Sequence, residues 1–139
     1  MPVEIFLDTS YAIALSCASD AHHARALSLT HRLKHEKARL ITTHGVMLEI
    51  GNALSKPRYR VAAIKLLTAL QHDPVVEIVP ISETLFREAF ELYRQRPDKC
   101  WGLTDCLSFA VMQRRNIREA LTADEHFSQA GFVALLAGC

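Results

Sequence analysis

The 139-residue sequence has almost no excess of either charge: 16 Lys and Arg stand against 15 Asp and Glu, a formal net charge of +1. That balance excludes the broad basic field of a nucleic-acid coat protein, so any contact with nucleic acid must be local. Cysteine is scarce as well. Cys17, Cys100, Cys106 and Cys139 show no CxxC spacing, which argues against zinc and, without a secretory leader, for reduced thiols in a cytoplasmic protein. The apolar run after Glu4 is too short for a signal segment, and no uncharged stretch reaches the roughly 18 residues of a spanning helix. A soluble protein without a membrane partner is expected. Internal repeats, low-complexity tracts and Gly- or Pro-rich linkers are also missing. One domain over residues 1–139 is therefore expected, and a 50% apolar content is enough to give it a real core.

What is present is alternation. Short β-rich runs, "VEIFL" (3–7), "RLIT" (39–42), "VVEIV" (75–79), "EALT" (119–122) and "FVALL" (132–136), are separated by longer helical patterns, the mark of parallel βαβ units and an α/β layer architecture. Asp20 is the expected N-cap of a helix over 21–36, Thr43 of one that Pro57 ends, and Ser82 of "ETLFREAFELYRQR". "LTDCLSFAVMQRR" is apolar nearly all round and predicts a buried helix. In a parallel sheet of this kind ligands gather at the carboxyl ends of the strands. Asp8 and Asp124 both follow such ends.

Four acids carry the chemical argument: Asp8 after the first strand, Glu49 on the third helix, Asp105 at the start of the buried helix and Asp124 after the fourth strand. Taken singly, Asp8, Asp105 and Asp124 read as turn or capping residues, with Thr104 a natural N-cap just before Asp105. Glu49 lies on the flank of the apolar face set by Val46, Ile50, Ala53 and Leu54, in a stripe with Gly45 and Asn52 that faces a cleft or solvent. If the four converge, each pair about 6 Å apart repels by roughly 3 kcal/mol at an effective dielectric near 20. Summed over the pairs, that rivals the stability of a whole domain. Either some acids are protonated or a divalent ion sits among them, and oxygen ligands suit Mg²⁺ or Mn²⁺.

"FLDTS", "LEIGNAL", "LTDCLSFAVM" and "LTADEHF", in this order and spacing, resemble the PIN-domain ribonucleases, in particular the VapC-like toxins of toxin–antitoxin pairs. The resemblance implies a three-layer fold whose five-stranded parallel sheet is flanked by helices. It also implies catalytic and metal-binding roles for Asp8, Glu49, Asp105 and Asp124, with Mg²⁺ or Mn²⁺ as cofactor. The activity it implies is hydrolysis of RNA to 5′-phosphate and 3′-hydroxyl ends, and the partners are a cognate antitoxin and a second copy of the chain. Asp98, Ser10, Asn52, Thr104 and Thr122 fall where the family has supporting polar residues. His126 occupies a recurrent position, although in isolation it reads as a surface histidine in a turn.

Other readings remain open. An RNA-processing nuclease without an antitoxin, or a catalytically silent PIN-fold binding module, would share these motifs. A phosphoacceptor domain of the flavodoxin-like type fits poorly, because "VVEIVPIS" has no Asp and no Lys follows residue 99. A haloacid-dehalogenase-type phosphohydrolase would need an Asp where Ser10 stands. "SKPRYR" (55–60), and Arg94, Arg96 and Lys99, are basic enough to hold phosphates, but also ordinary for solvated turns. His31 and His35 are expected on an exposed helix face, and the Leu, Ala and Phe positions of "ETLFREAFELY" in the core.

Overall fold

The computed structural model describes residues 2–137. Strands β1 (Glu4–Leu7), β2 (Arg39–Thr43), β3 (Val76–Val79), β4 (Glu119–Leu121) and β5 (Val133–Ala134) form one parallel sheet in the order β3-β2-β1-β4-β5. Helices α1 (Thr9–Ser16), α2 (His23–His35), α3 (His44–Ala53), α4 (Pro57–His72), α5 (Glu83–Gln95), α6 (Leu103–Arg114) and α7 (Glu125–Gln129) flank it. All five strands predicted from composition form. Parallel strands need crossovers, and right-handed crossovers in this order carry the chain outward from β1 on one side and back across to β4 on the other. Strand order therefore reverses between β1 and β4, beside Asp8.

The middle strand β1 is the most enclosed: Ile5, Phe6 and Leu7 are buried on a strand flanked by Leu40 and Ile41 on one side and Ala120 and Leu121 on the other. α6 is buried along most of its length, as its all-round apolar sequence predicts. Phe109 on α6 meets Trp101 edge-on at 5.1 Å and Phe127 on α7 at 5.0 Å. This aromatic cluster ties the start of α6 to α7, and so fixes Asp105 relative to Asp124. α3 touches both α1 and α6, which sets Glu49 between the ends of β1 and α6.

Several local expectations are corrected. α2 begins at His23, because the Asp20 carboxylate accepts the His22 N–H in a turn before the helix and does not cap it. Thr43 and Ser82 do cap α3 and α5. α3 ends at Ala53, which is exposed, and Pro57 occupies the first turn of α4, where its missing N–H costs nothing. "SKPRYR" is accordingly helical from Pro57 onward. On α5, Leu85 and Ala89 face the core, but Phe86, Phe90 and Tyr93 are exposed at 44–47%. α7 was not expected: its five residues are too few for periodicity to show. His31 and His35 are exposed, as expected. Cys17, Cys100 and Cys106 are free thiols, and Cys139 lies outside the described residues.

Candidate active site

Asp8 directly follows β1 and is 5% exposed. Thr122, just past β4, donates its hydroxyl to Asp8 Oδ2 at 2.7 Å. That proton spent, Thr122 Oγ1 can only accept from its other neighbours, the Asp124 N–H at 3.0 Å and the Ser10 hydroxyl at 3.2 Å, while Ser10 Oγ accepts the Ala123 N–H at 3.0 Å. This chain of bonds clamps the end of β1 to the end of β4. Burial pushes the Asp8 carboxyl up to about 7; the Thr122 hydroxyl and the Thr9 backbone N–H oppose the rise, and the Glu49 and Asp105 charges add to it.

Glu49 approaches from α3. Gly45, one turn earlier, lies so close to α6 that a Cβ there would stand 3.2 Å from Leu107 Cδ1 and 3.2 Å from Thr43 Oγ1. The missing side chain lets the two helices approach closely. Thr9 donates its hydroxyl to Glu49 Oε1 at 2.8 Å. Half-burial raises the Glu49 carboxyl above its ordinary range, Thr9 works against this, and the charges of Asp105 and Asp124 add to the rise.

Asp105 and Asp124 do cap helices, as their isolated readings predict, though not in the expected manner. The N-cap of α6 is Gly102 rather than Thr104, and Asp105 Oδ2 accepts its N–H at 3.0 Å. Asp124 is the N-cap of α7 and accepts the His126 N–H at 2.9 Å. His126 is no free surface residue. Its Nδ1 lies 3.0 Å from Asp105 Oδ2 and 3.4 Å from Asp124 Oδ1, and donor atoms of these three residues fall within 4.8 Å of one another. The capping oxygens, Asp105 Oδ2 and Asp124 Oδ1, are the same two that face His126 Nδ1, and each keeps a lone pair beyond the one that accepts the backbone N–H.

The four acids are electrostatically coupled, and among the described residues none forms a salt bridge with Lys or Arg; His126 pairs with Asp105 and Asp124. An oxygen-rich set with unpaired negative charge fits a hard divalent cation. Of the supporting residues expected, Ser10 and Thr122 take part. Asn52 is exposed, and the Thr104 methyl packs beside Gly45. Asp98 is an exposed residue paired twice at 2.9 Å with Arg96, which holds its carboxyl down at about 2. Thr9 escaped notice in the sequence, its only signal being its place next to Asp8. Glu77 and Glu88 stand apart from the cluster and pair with Arg115 and Arg114 respectively.

Beside Gly102, Trp101 forms one wall of a cavity of about 590 Å³ that Phe90, Tyr93, Arg94, Arg96 and Lys99 complete. Arg96 stacks over the Trp101 ring at 5.1 Å. In the first turn of α4, Arg58 lies over Tyr59 at 4.7 Å and Arg60 donates to the Ser55 carbonyl at 2.6 Å.

Comparison with known proteins places this geometry. Residues 5–133 match the family model described as PIN domain. The 23S rRNA-specific endonuclease VapC20 of Mycobacterium tuberculosis is 32% identical over 130 residues, covering 93% of this chain and 95% of that protein. Its crystal structure, described as that of a Sarcin-Ricin loop cleaving toxin, superposes with a TM-score of 0.81 over 93% of this chain and 96% of the other. VapBC2 of Rickettsia felis, bound to a promoter DNA fragment, is alike in fold at 15% identity and a TM-score of 0.67, covering 95% and 97% of the two chains. FitAcB of Neisseria gonorrhoeae is alike at 16% and 0.64, covering 94% of each. With an acid cluster at the switch point of a five-stranded parallel sheet and a family match over nearly its whole length, the chain belongs to the PIN domain family.

Proposed function

We propose that the protein is a divalent-metal-dependent endoribonuclease, and that it acts as the toxin of a toxin–antitoxin pair. The observation that carries this reading is the set of four mutually repelling acids, Asp8, Glu49, Asp105 and Asp124, with no Lys or Arg salt bridge to any of them among the described residues. These residues would hold Mg²⁺ or Mn²⁺. When bound, such an ion neutralises charge on the phosphoryl oxygens and activates water for in-line attack. The protein's own part is orientation: Thr122 and Thr9 aim the Asp8 and Glu49 carboxylates, and the caps on α6 and α7 aim Asp105 and Asp124. No side chain is placed as a nucleophile. The products would carry 5′-phosphate and 3′-hydroxyl ends.

Ribosomal RNA is the first substrate to try, because VapC20 is a 23S rRNA-specific endonuclease. The aromatic and cationic cavity beside Trp101 offers base stacking and phosphate contacts next to the acids. An antitoxin would cover the apolar groove of about 570 Å³ that Leu15, Leu33, Leu66 and Leu70 line, with Lys34 and Lys37 at its rim. A homodimer is part of the same reading, tested by light scattering. The deciding experiment incubates the purified protein with total RNA and Mn²⁺, with and without chelator, and maps the 5′ ends. Discrete cuts bearing 5′-phosphates and abolished by chelator are expected; intact RNA in Mn²⁺ overturns the proposal.

A further inference from the structure

Histidine is absent from the four-acid account, yet the His126 ring is seated among those acids. Its position is built in: Asp124 holds the His126 backbone N–H, and the next residue, Phe127, is fully buried and packed edge-on against Phe109. The ring has only partial exposure, with its side chain at 24%. An ordinary account is that Nδ1–H donates to Asp105 and merely orients it. That account needs one contact, whereas Nδ1 approaches oxygens of two candidate ligands, at 3.0 and 3.4 Å. Donors set about 2.1 Å from one ion at right angles to each other lie about 3 Å apart, so this spacing is also that of neighbouring ligands in an octahedral shell.

We propose that His126 is itself a metal ligand, completing with Asp105 and Asp124 one face of an ion's shell, and that it biases the site toward first-row transition-metal ions of the Mn²⁺ class over Mg²⁺. The inference rests on the nuclease reading above. Imidazole nitrogen suits transition ions, while Mg²⁺ takes oxygen almost exclusively. Ligation through Nδ1 requires the neutral tautomer that carries its proton on Nε2, and the ion would take over the bridging that the hydrogen bond performs without it.

Pulsed EPR on Mn²⁺-loaded protein, prepared with ordinary and with ¹⁵N-labelled histidine, reads the ligation directly. A nitrogen coupling that changes with the label is expected in the wild type and is lost in His126→Gln. In that variant, Mn²⁺ affinity should fall by about tenfold or more while Mg²⁺ affinity changes far less. Circular dichroism checks its fold, and the isotope comparison on the wild type needs no variant. Bound Mn²⁺ without nitrogen coupling, or a coupling that survives in His126→Gln, overturns the ligand role and leaves the nuclease reading standing. No uptake of Mn²⁺ at all sinks the nuclease reading, and this inference with it.

Discussion

The two ends of the sheet treat negative charge in opposite ways. At the amino end, Glu4 and Glu77 share Arg115, which forms bonds of 2.8–3.1 Å to both carboxylates. There the side chains are part-exposed, and the guanidinium holds Glu77 below the ordinary carboxylate range. At the carboxyl end, Asp8 is enclosed, its carboxyl is raised, and its charged neighbours are other acids. The first arrangement is stable as it stands. The second is stable only with protons or a cation, which is why one end reads as scaffold and the other as a site.

The contrast can be broken most sharply at the acidic end. Asp105→Asn or Asp8→Asn should lower the rate of RNA cleavage in Mn²⁺ by roughly 10³-fold, about 4 kcal/mol of barrier, in a gel assay with a defined RNA. The same Asp8→Asn change should stabilise the metal-free protein. The carboxyl moves from 3.8 to about 7 on folding, so keeping it ionised in the folded state costs on the order of 4 kcal/mol. Asn still accepts the Thr122 hydroxyl, so melting in EDTA at pH 8 should rise by several degrees.

The sign of the pH dependence follows. A carboxyl whose pKa is raised by folding makes the folded chain bind more protons than the unfolded one between about pH 4 and 7. Its contribution is fully present below pH 4 and lost as pH rises through 7. Metal-free wild type should therefore lose stability relative to Asp8→Asn over that window, in paired melts at pH 5 and pH 8. At the opposite end the effects shrink. Arg115→Gln should cost about 1 kcal/mol, since its partners are partly exposed and screened, and leave cleavage unchanged. Glu88→Gln, which breaks only an exposed pair with Arg114, should alter neither the melt nor the activity.

Much of the fold was legible in the sequence because strand identity is a local property: runs such as "VEIFL" and "VVEIV" carry β-branched and apolar residues between turn signals. Boundaries were less so. Asp20 looks like a cap but forms a turn, and Thr104 looks like a cap where Gly102 serves, because capping depends on backbone angles that composition does not fix. Phe86, Phe90 and Tyr93 mark the limit of pattern reading, since apolar identity does not tell whether a partner layer covers that face. His126 reads in isolation as a surface residue for a related reason: a histidine in a short turn is ordinary until the Asp105 carboxylate, 21 residues earlier, is seen 3.0 Å away.

The sequence by itself determined which segments are strands, and that acids follow the first and fourth of them, because alternation and strand-end chemistry operate over a few residues. Only the tertiary structure decided that these acids, with Glu49 and Asp105, come near enough to raise the cost of one another's charge, with no Lys or Arg salt bridge to them among the described residues. It also decided that Thr9, Thr122 and His126 contact them. Those facts depend on strand order, on the close approach at Gly45, and on the Phe109–Phe127 contact. Each is a long-range packing outcome that no local window encodes.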